Sequence, residues 1–239
     1  MSIDLPLTSP YLNAAGMLGF APHGVWNWQQ PQGAFVTAPI SRHARSAAEN
    51  RTATTRHGLA LLHSGLPNPG LRGAIRQYSH RWADATLPIW VHIIPSQAGE
   101  AIEMVRVLED VEGVAAVEMS LPDNTPADTW FEVLKGFGGS RLPLILSLSI
   151  TCATVSWLNT IGEAGAAAIN LTAPRGMMDG GSGRLYGPAL LPLAHQALDD
   201  VKSAGVPVIV SSGIFTIQDA SELLQHGAAA VGLDTILWG

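Results

Sequence analysis

The stretch "AGVPVIVSSGIFTIQDASELLQHGAAAVGLDT", residues 204–235, carries the fold in miniature. An apolar run at 206–213 closes on Gly213, a helix-period segment fills 216–226, and a second apolar run occupies 228–235. Strand, helix, strand is the unit of a parallel sheet covered by helices. Gly205 and Gly227 each fall just past a helical segment and just before a strand, where a helix end favours glycine.

The same grammar extends back through the chain. Strands are read at 11–16, 33–39, 88–95, 113–121, 142–149 and 166–173, and helices at 70–84, 99–110, 127–138, 152–164 and 188–204. Eight such units predict one TIM (β/α)8 barrel over residues 1–239, with its site at the C-terminal strand ends. Only "ILWG" follows the eighth strand, so the barrel is expected to lack its last helix. The groove beside that strand is then expected to be covered by Trp238, a second copy or a partner subunit, because large apolar grooves rarely stay bare. "IDLPLTSPYL" (3–12) is read as a short hairpin capping the opposite end. The segment 41–69 is read as an irregular, functional excursion, and "RGMMDGGSGRLYG" (175–187) as a flexible, glycine-rich connector.

Composition excludes several classes of function. Charged residues are only 13% of the chain and the net charge is −6, which disfavours nucleic acid as a partner. The arginines of "SRHARSAAENRTATTRHG" also lack the interleaved aromatic rings of a stacking surface. A single cysteine, Cys152, permits neither a disulfide framework nor a cysteine-based metal site. "MSIDLPLTSP" lacks the basic and apolar regions of a signal peptide, and no apolar run is long enough to span a bilayer. The default expectation is therefore a cytoplasmic protein with no membrane contact. Only Lys135 and Lys202 are lysines, and both lie in polar-faced helical segments. A lysine clamp or Schiff base at a strand end is excluded on that ground.

Six segments together resemble dihydroorotate dehydrogenases, the flavin mononucleotide (FMN) barrels of pyrimidine synthesis. They are "NAAGMLGF" (13–20), "GAFVT" (33–37), "SGLPNPGL" (64–71), "AVEMSLPDN" (116–124), "LYGPALLPLA" (185–194) and "GAAAVGLDT" (227–235). The resemblance implies FMN beside Ala14, Ala15, Gly16 and Ser147, with its phosphate near Gly187, Ser212, Gly213 and Thr235. It also implies losses. Ala38 and Ser147 stand where the family places flavin-facing lysines. Leu62, Ser120 and Ala173 stand where it places substrate-binding asparagines. The loop that carries the family's catalytic base is shortened to "LPDN". Asp234 replaces a glycine of the phosphate cradle and would repel a phosphate if turned inward. Dihydroorotate oxidation needs a base and polar donors together, so ordinary turnover is not expected. Three readings stay open: a flavin oxidoreductase by descent, a non-catalytic binding or assembly subunit, and an enzyme with another cofactor or none.

For the last reading the candidate catalytic residues are His92, Asp123 and Arg175. His92 lies mid-strand in "PIWVHIIP", on one face with Trp90 and Ile94; it is either an acid–base group or a core histidine. Glu118 is read as structural. Asp123 follows strand four, either at a ligand or in a turn. Arg175 follows strand six and could supply the missing cation. Arg42, Arg45, Arg51, Arg56 and His57 either order their own loop or receive an anionic ligand. Cys152 is either a structural thiol or one activated at a helix start. The expected partner is a small molecule or anionic ligand.

Overall fold

The structure, a computed structural model, describes residues 5–23, 26–122, 125–137, 139–152 and 161–238. In chain order its first elements are β1 (Tyr11–Asn13), β2 (Phe35–Val36), β3 (Thr52–Arg56), β4 (Leu59–His63), α1 (Gly70–Ala83), β5 (Ile89–Ile93) and α2 (Ala98–Leu108). Then come β6 (Val114–Met119), α3 (Ala127–Gly136), β7 (Leu144–Ser149), β8 (Ala168–Thr172), β9 (Arg175–Met178) and β10 (Gly181–Tyr186). The last are α4 (Leu191–Val201), β11 (Val208–Ser211), α5 (Ile217–Gln225) and β12 (Ala230–Leu233).

Eight parallel strands run in the order β1-β12-β11-β8-β7-β6-β5-β2, and a parallel bridge between Leu12 and Ala34 joins the two ends. The predicted TIM barrel is present, and its strands are the eight read from the sequence. The seam between the short strands β1 and β2 is held by Asn13. Its amide donates to the Val36 carbonyl at 2.6 Å while its oxygen accepts from the Val36 amide at 3.0 Å. A side chain thus supplies the ladder that three-residue and two-residue strands cannot.

Strand alternation divides the barrel into two shells. Outward residues such as Phe35, Val91, Met119, Leu146 and Val210 pack under the helices. Inward residues Leu12, Val36, Trp90, Ala116, Ile145, Ala168, Ile209 and Ala230 form a separate apolar layer. Leu5 and Leu7 close it from below, and the Trp90 indole donates to the Pro6 carbonyl at 3.2 Å. Two residues further along five of these strands the inward position turns polar: His92, Glu118, Ser147, Asn170 and Ser211, all buried. That polar layer is the floor of the site.

Three local expectations are corrected. Among the described N-terminal residues there is no hairpin; an extended segment does the capping instead. The excursion 41–69 contains the hairpin β3-β4, and the presumed flexible connector is the hairpin β9-β10. The two join edge to edge as a four-stranded antiparallel sheet, β3-β4-β10-β9. The connector pairs because Asp179 and Gly180 both adopt positive φ (50° and 80°), the two-residue turn that matches strand twist. The helix expected at 152–164 lies largely outside the described residues.

After β12 the described chain makes only a 3-10 turn, Thr235–Trp238. Trp238 crosses to the loop after β1, its indole donating to the Met17 carbonyl at 2.9 Å. No helix among the described residues is long and apolar enough to cross a membrane.

Candidate functional site

A cavity of about 670 Å³ opens between the polar floor and the antiparallel sheet above it. That volume lies within the range of small-molecule sites. The floor is contributed by the strand ends, through Ala14, Gly16, His92, Ser120, Ser147 and Ser211. The roof comes from Thr52 and Ala53 on β3, Leu62 and His63 on β4, and Gly183, Arg184 and Tyr186 on β10. The roof explains the long insertions after the second and sixth barrel strands.

A chain of polar contacts crosses the floor. Ser120 Oγ lies 3.2 Å from His92 Nε2, and His92 Nδ1 lies 3.1 Å from Glu118 Oε1. That second contact has ion-pair length, with the N–H pointing off the line to the oxygen. Asn170 Nδ2 donates to the same Oε1 at 3.1 Å, and Ser211 Oγ donates to Asn170 Oδ1 at 2.8 Å. Thr37 Oγ1 accepts from the His92 amide at 3.0 Å and so fixes the backbone under the ring. Glu118 has no exposed surface, and its Oε2 has no hydrogen-bond partner among the described residues. A carboxylate buried this way is costly unless a proton or cation reaches it.

The roof and rim are cationic. Arg45, Arg51, Arg175, Arg184 and His63 line the cavity, and no aspartate or glutamate does so among the described residues. The arginine cluster of the sequence divides. Arg42 pairs with Glu103 on α2, and Arg56 pairs with Asp179 in the β9-β10 turn at 3.1 Å. Arg45 and Arg51 stay at the cavity. Arg184 donates to the Ala173 carbonyl at 2.7 Å.

The remaining expected site residues separate into two groups. Ala14, Ala15, Gly16 and Ser147 line the cavity together with His92 and Arg175. Gly187, Ser212, Gly213 and Thr235 do not. Asp123 lies outside the described residues. Cys152 ends a 3-10 turn, Ile150–Cys152, and is partly buried. Sequence reading missed Ser120 as a functional group and took Glu118 as structural. The available signal was parity: Glu118 and Ser120 are two apart on β6, and Glu118 pairs in register with His92 on β5.

The second group is where a phosphate would rest. Gly187 (φ 135°) brings its Cα face against the Gly58 carbonyl, so close that a Cβ there would lie 2.1 Å from the oxygen. Gly213 (φ 81°) does the same against the amide of Leu191. Both glycines therefore serve contacts within the protein. Asp234, fully buried, turns its Oδ1 onto the Thr235 amide at 2.5 Å and the Thr235 hydroxyl at 3.1 Å. It also accepts from the Ile236 amide, and burial pushes its pKa up to about 6 despite these bonds. Burial likewise pushes the Tyr186 phenol up, with Asp234 adding to the effect. The amides that would hold an anion after β12 already hold a carboxylate, whose Oδ2 has no partner among the described residues. Ser212 Oγ beside them is buried without a partner among the described residues, so the β12 half of the cradle is taken by Asp234 and the β11 half keeps a polar group to offer.

No family model matches the chain. It is 27% identical to the catalytic subunit of dihydroorotate dehydrogenase B (NAD(+)) from Desulforudis audaxviator, over 97% of this chain and 83% of that protein. It is 28% identical to the same-named subunit from Shouchella clausii, over 98% of this chain and 86% of that one. A solved structure of DHODH from Eimeria tenella, in complex with ferulenol, superposes with a TM-score of 0.73 at 14% identity. That match covers 96% of this chain and 76% of the other. Barrel order, strand-end cavity and near full-length similarity agree, and the chain is similar along almost its whole length to dihydroorotate dehydrogenases, from which it diverges at the site.

Proposed function

We propose that this chain is a small-molecule enzyme of flavin oxidoreductase descent, that its cavity takes an anionic substrate, and that ordinary dihydroorotate oxidation has been lost from it. The observation that carries the reading is the lining. Leu62, Ser120, Ser147 and Ala173 face the cavity where the resemblance calls for asparagines and a lysine, while among the described residues four arginines and no carboxylate line it. Arginine at such a rim recognises carboxylate or phosphate bidentately. The described lysines are elsewhere: Lys135 in α3, and Lys202 at the end of α4, paired with Asp199.

Flavin binding is the part of the ancestry under most strain. Ala14, Ala15, Gly16 and Ser147 leave room for a ring system, but the β12 half of the phosphate end described above is occupied by the protein itself. His92, with Ser120 and Arg175, would then carry the chemistry. The relatives are named catalytic subunits, and we extend that to a partner chain or second copy beside β12, where Trp238 stands half exposed.

Titration calorimetry with inorganic phosphate, succinate and dihydroorotate tests the reading, beside the absorbance spectrum and dihydroorotate turnover of the protein before and after incubation with FMN. Phosphate or succinate should bind, more weakly as salt rises, and Arg51→Ala should weaken that binding about tenfold, the loss of one charge-assisted contact. The protein should retain no flavin. Dihydroorotate turnover at rates usual for the family would overturn the proposal.

A further inference from the structure

We propose that Ser120, His92 and Glu118 form a nucleophilic triad, giving this barrel an acyl-transfer activity, the hydrolysis of small esters or thioesters, which dehydrogenation does not use. Ser120 Oγ and His92 both line the cavity, 3.2 Å apart through Nε2. Glu118 stands behind the ring at Nδ1, 3.1 Å away. Nucleophile, base and orienting carboxylate in that order are the arrangement that activates a serine, recognised by geometry and not by chain position. The three come from one strand and its neighbour: Glu118 and Ser120 point inward from β6 and its C-terminal end, and His92 lies opposite Glu118 on β5. Asn170 and Ser211 hold the carboxylate in place. The buried Glu118 carboxylate, reached by His92 through Oε1, gains its counter-charge when His92 takes a proton. The off-line Nδ1–H contact belongs to a site without substrate, where such bonds are commonly long or misaligned.

The step balances without an added redox partner. The Ser120 oxygen bonds to the acyl carbon, and its proton passes to His92 Nε2. The bond from acyl carbon to the leaving oxygen or sulfur breaks, and the leaving group takes that proton. Water then adds to the acyl carbon, giving its proton to His92; the bond to Ser120 breaks, and His92 returns the proton to Oγ. The acid product leaves. The cationic rim selects acyl groups carrying a carboxylate, and this preference alone rests on the anionic-substrate reading above.

The test uses the full chain with a fluorophosphonate probe, peptide mass spectrometry, and two esters, p-nitrophenyl acetate and the p-nitrophenyl hemiester of succinic acid. Ser120 should carry the phosphonyl adduct, and Ser120→Ala should abolish it while the far-ultraviolet spectrum and melting curve persist. His92→Asn should slow labelling and hydrolysis at least 100-fold. Glu118→Gln, acting through His92, should lower kcat with KM unchanged. Preference for the hemiester by tenfold or more supports both readings. Equal hydrolysis of the two esters keeps the triad and removes the anionic selectivity. No adduct on folded protein, or labelling unchanged in His92→Asn, overturns the triad even where phosphate still binds.

Discussion

Two buried carboxylates sit at the same mouth of this barrel, and they are used in opposite ways. Glu118 and Asp234 are both fully buried, and each has one oxygen without a partner among the described residues. Glu118 spends its other oxygen on side chains from two other strands, His92 on the adjacent β5 and Asn170 on β8, one strand beyond β7. Asp234 spends its other oxygen on its own backbone, at the Thr235 amide and hydroxyl. A carboxylate that orients side chains leaves their far atoms free to meet a ligand. One seated on backbone amides consumes the donors a ligand would need. The mouth therefore has an equipped side at β5-β6 and a closed side at β12.

The largest expected effect separates the two directly. Glu118→Gln puts an amide behind His92, favouring the tautomer that cannot accept the Ser120 proton. Hydrolysis of the succinate hemiester should fall on the order of 100-fold or more, by analogy with triads that lose their carboxylate. Asp234→Asn should leave the same rate within twofold. Equal losses in both variants would erase the distinction between the two sides.

The next effect runs through pH. The Asp234 carboxyl is raised from 3.8 to about 6 by burial, which outweighs the bonds from Thr235 and Ile236. The folded state therefore holds this proton more tightly than the unfolded chain. Its contribution to stability is full below about pH 4 and is lost as pH rises through 6, a swing on the order of 3 kcal/mol. Asp234→Asn removes the swing. Melting temperatures of the two proteins should lie close at pH 4 and diverge in favour of the variant at pH 8. The Tyr186 phenol beside it, raised by burial, titrates too high to blur that window. Parallel melting curves across the range would show that Asp234 is solvated.

A smaller effect concerns FMN, the cofactor that the resemblance implies. If the closed side is closed by charge, Asp234→Asn should raise the affinity for FMN at least tenfold, since like charges a few ångströms apart repel by more than 1.4 kcal/mol at protein-surface dielectric. Equilibrium dialysis against FMN reads this directly. If affinity stays flat, the contacts at Gly187 and Gly213 close the site by shape.

The barrel was legible because each of its strands is an apolar run entered or left through glycine or proline, as in "VPVIVSSG". The inward polar layer was half legible: His92 was visible on the face it shares with Trp90, and that face does point inward. The roof was not legible. β3 reads "TATTR" with no apolar side, and it pairs with β4, which pairs with β10 some 120 residues later. Periodicity cannot report a strand whose partner is that distant. Asp179-Gly180 is a hairpin turn dipeptide, but its glycine-rich surroundings pass for a linker. The triad was invisible for a different reason. In the sequence Ser120 reads as the replacement of an asparagine, and only the register of β5 against β6 brings it to His92.

The smallest effect tests how far the equipped side extends toward the closed one. Ser211, on β11, donates to Asn170, which donates to Glu118, so it is the last link joining the triad to the far strands. In Ser211→Ala the buried Asn170 oxygen loses that donor, and an unsatisfied buried acceptor costs about 1–3 kcal/mol of stability. The triad keeps its three members, but the carboxylate behind His92 is held by an amide freer to turn. Hydrolysis should drop only threefold to tenfold, with the loss in kcat. A drop as large as that of Glu118→Gln would mean the unit is the whole five-residue chain and not three residues with supports. An unchanged rate beside a lowered melting temperature would confine Ser211 to the fold. Because β11 also leads into Ser212 and Gly213 of the phosphate cradle, this one hydroxyl measures where catalysis ends and that cradle begins.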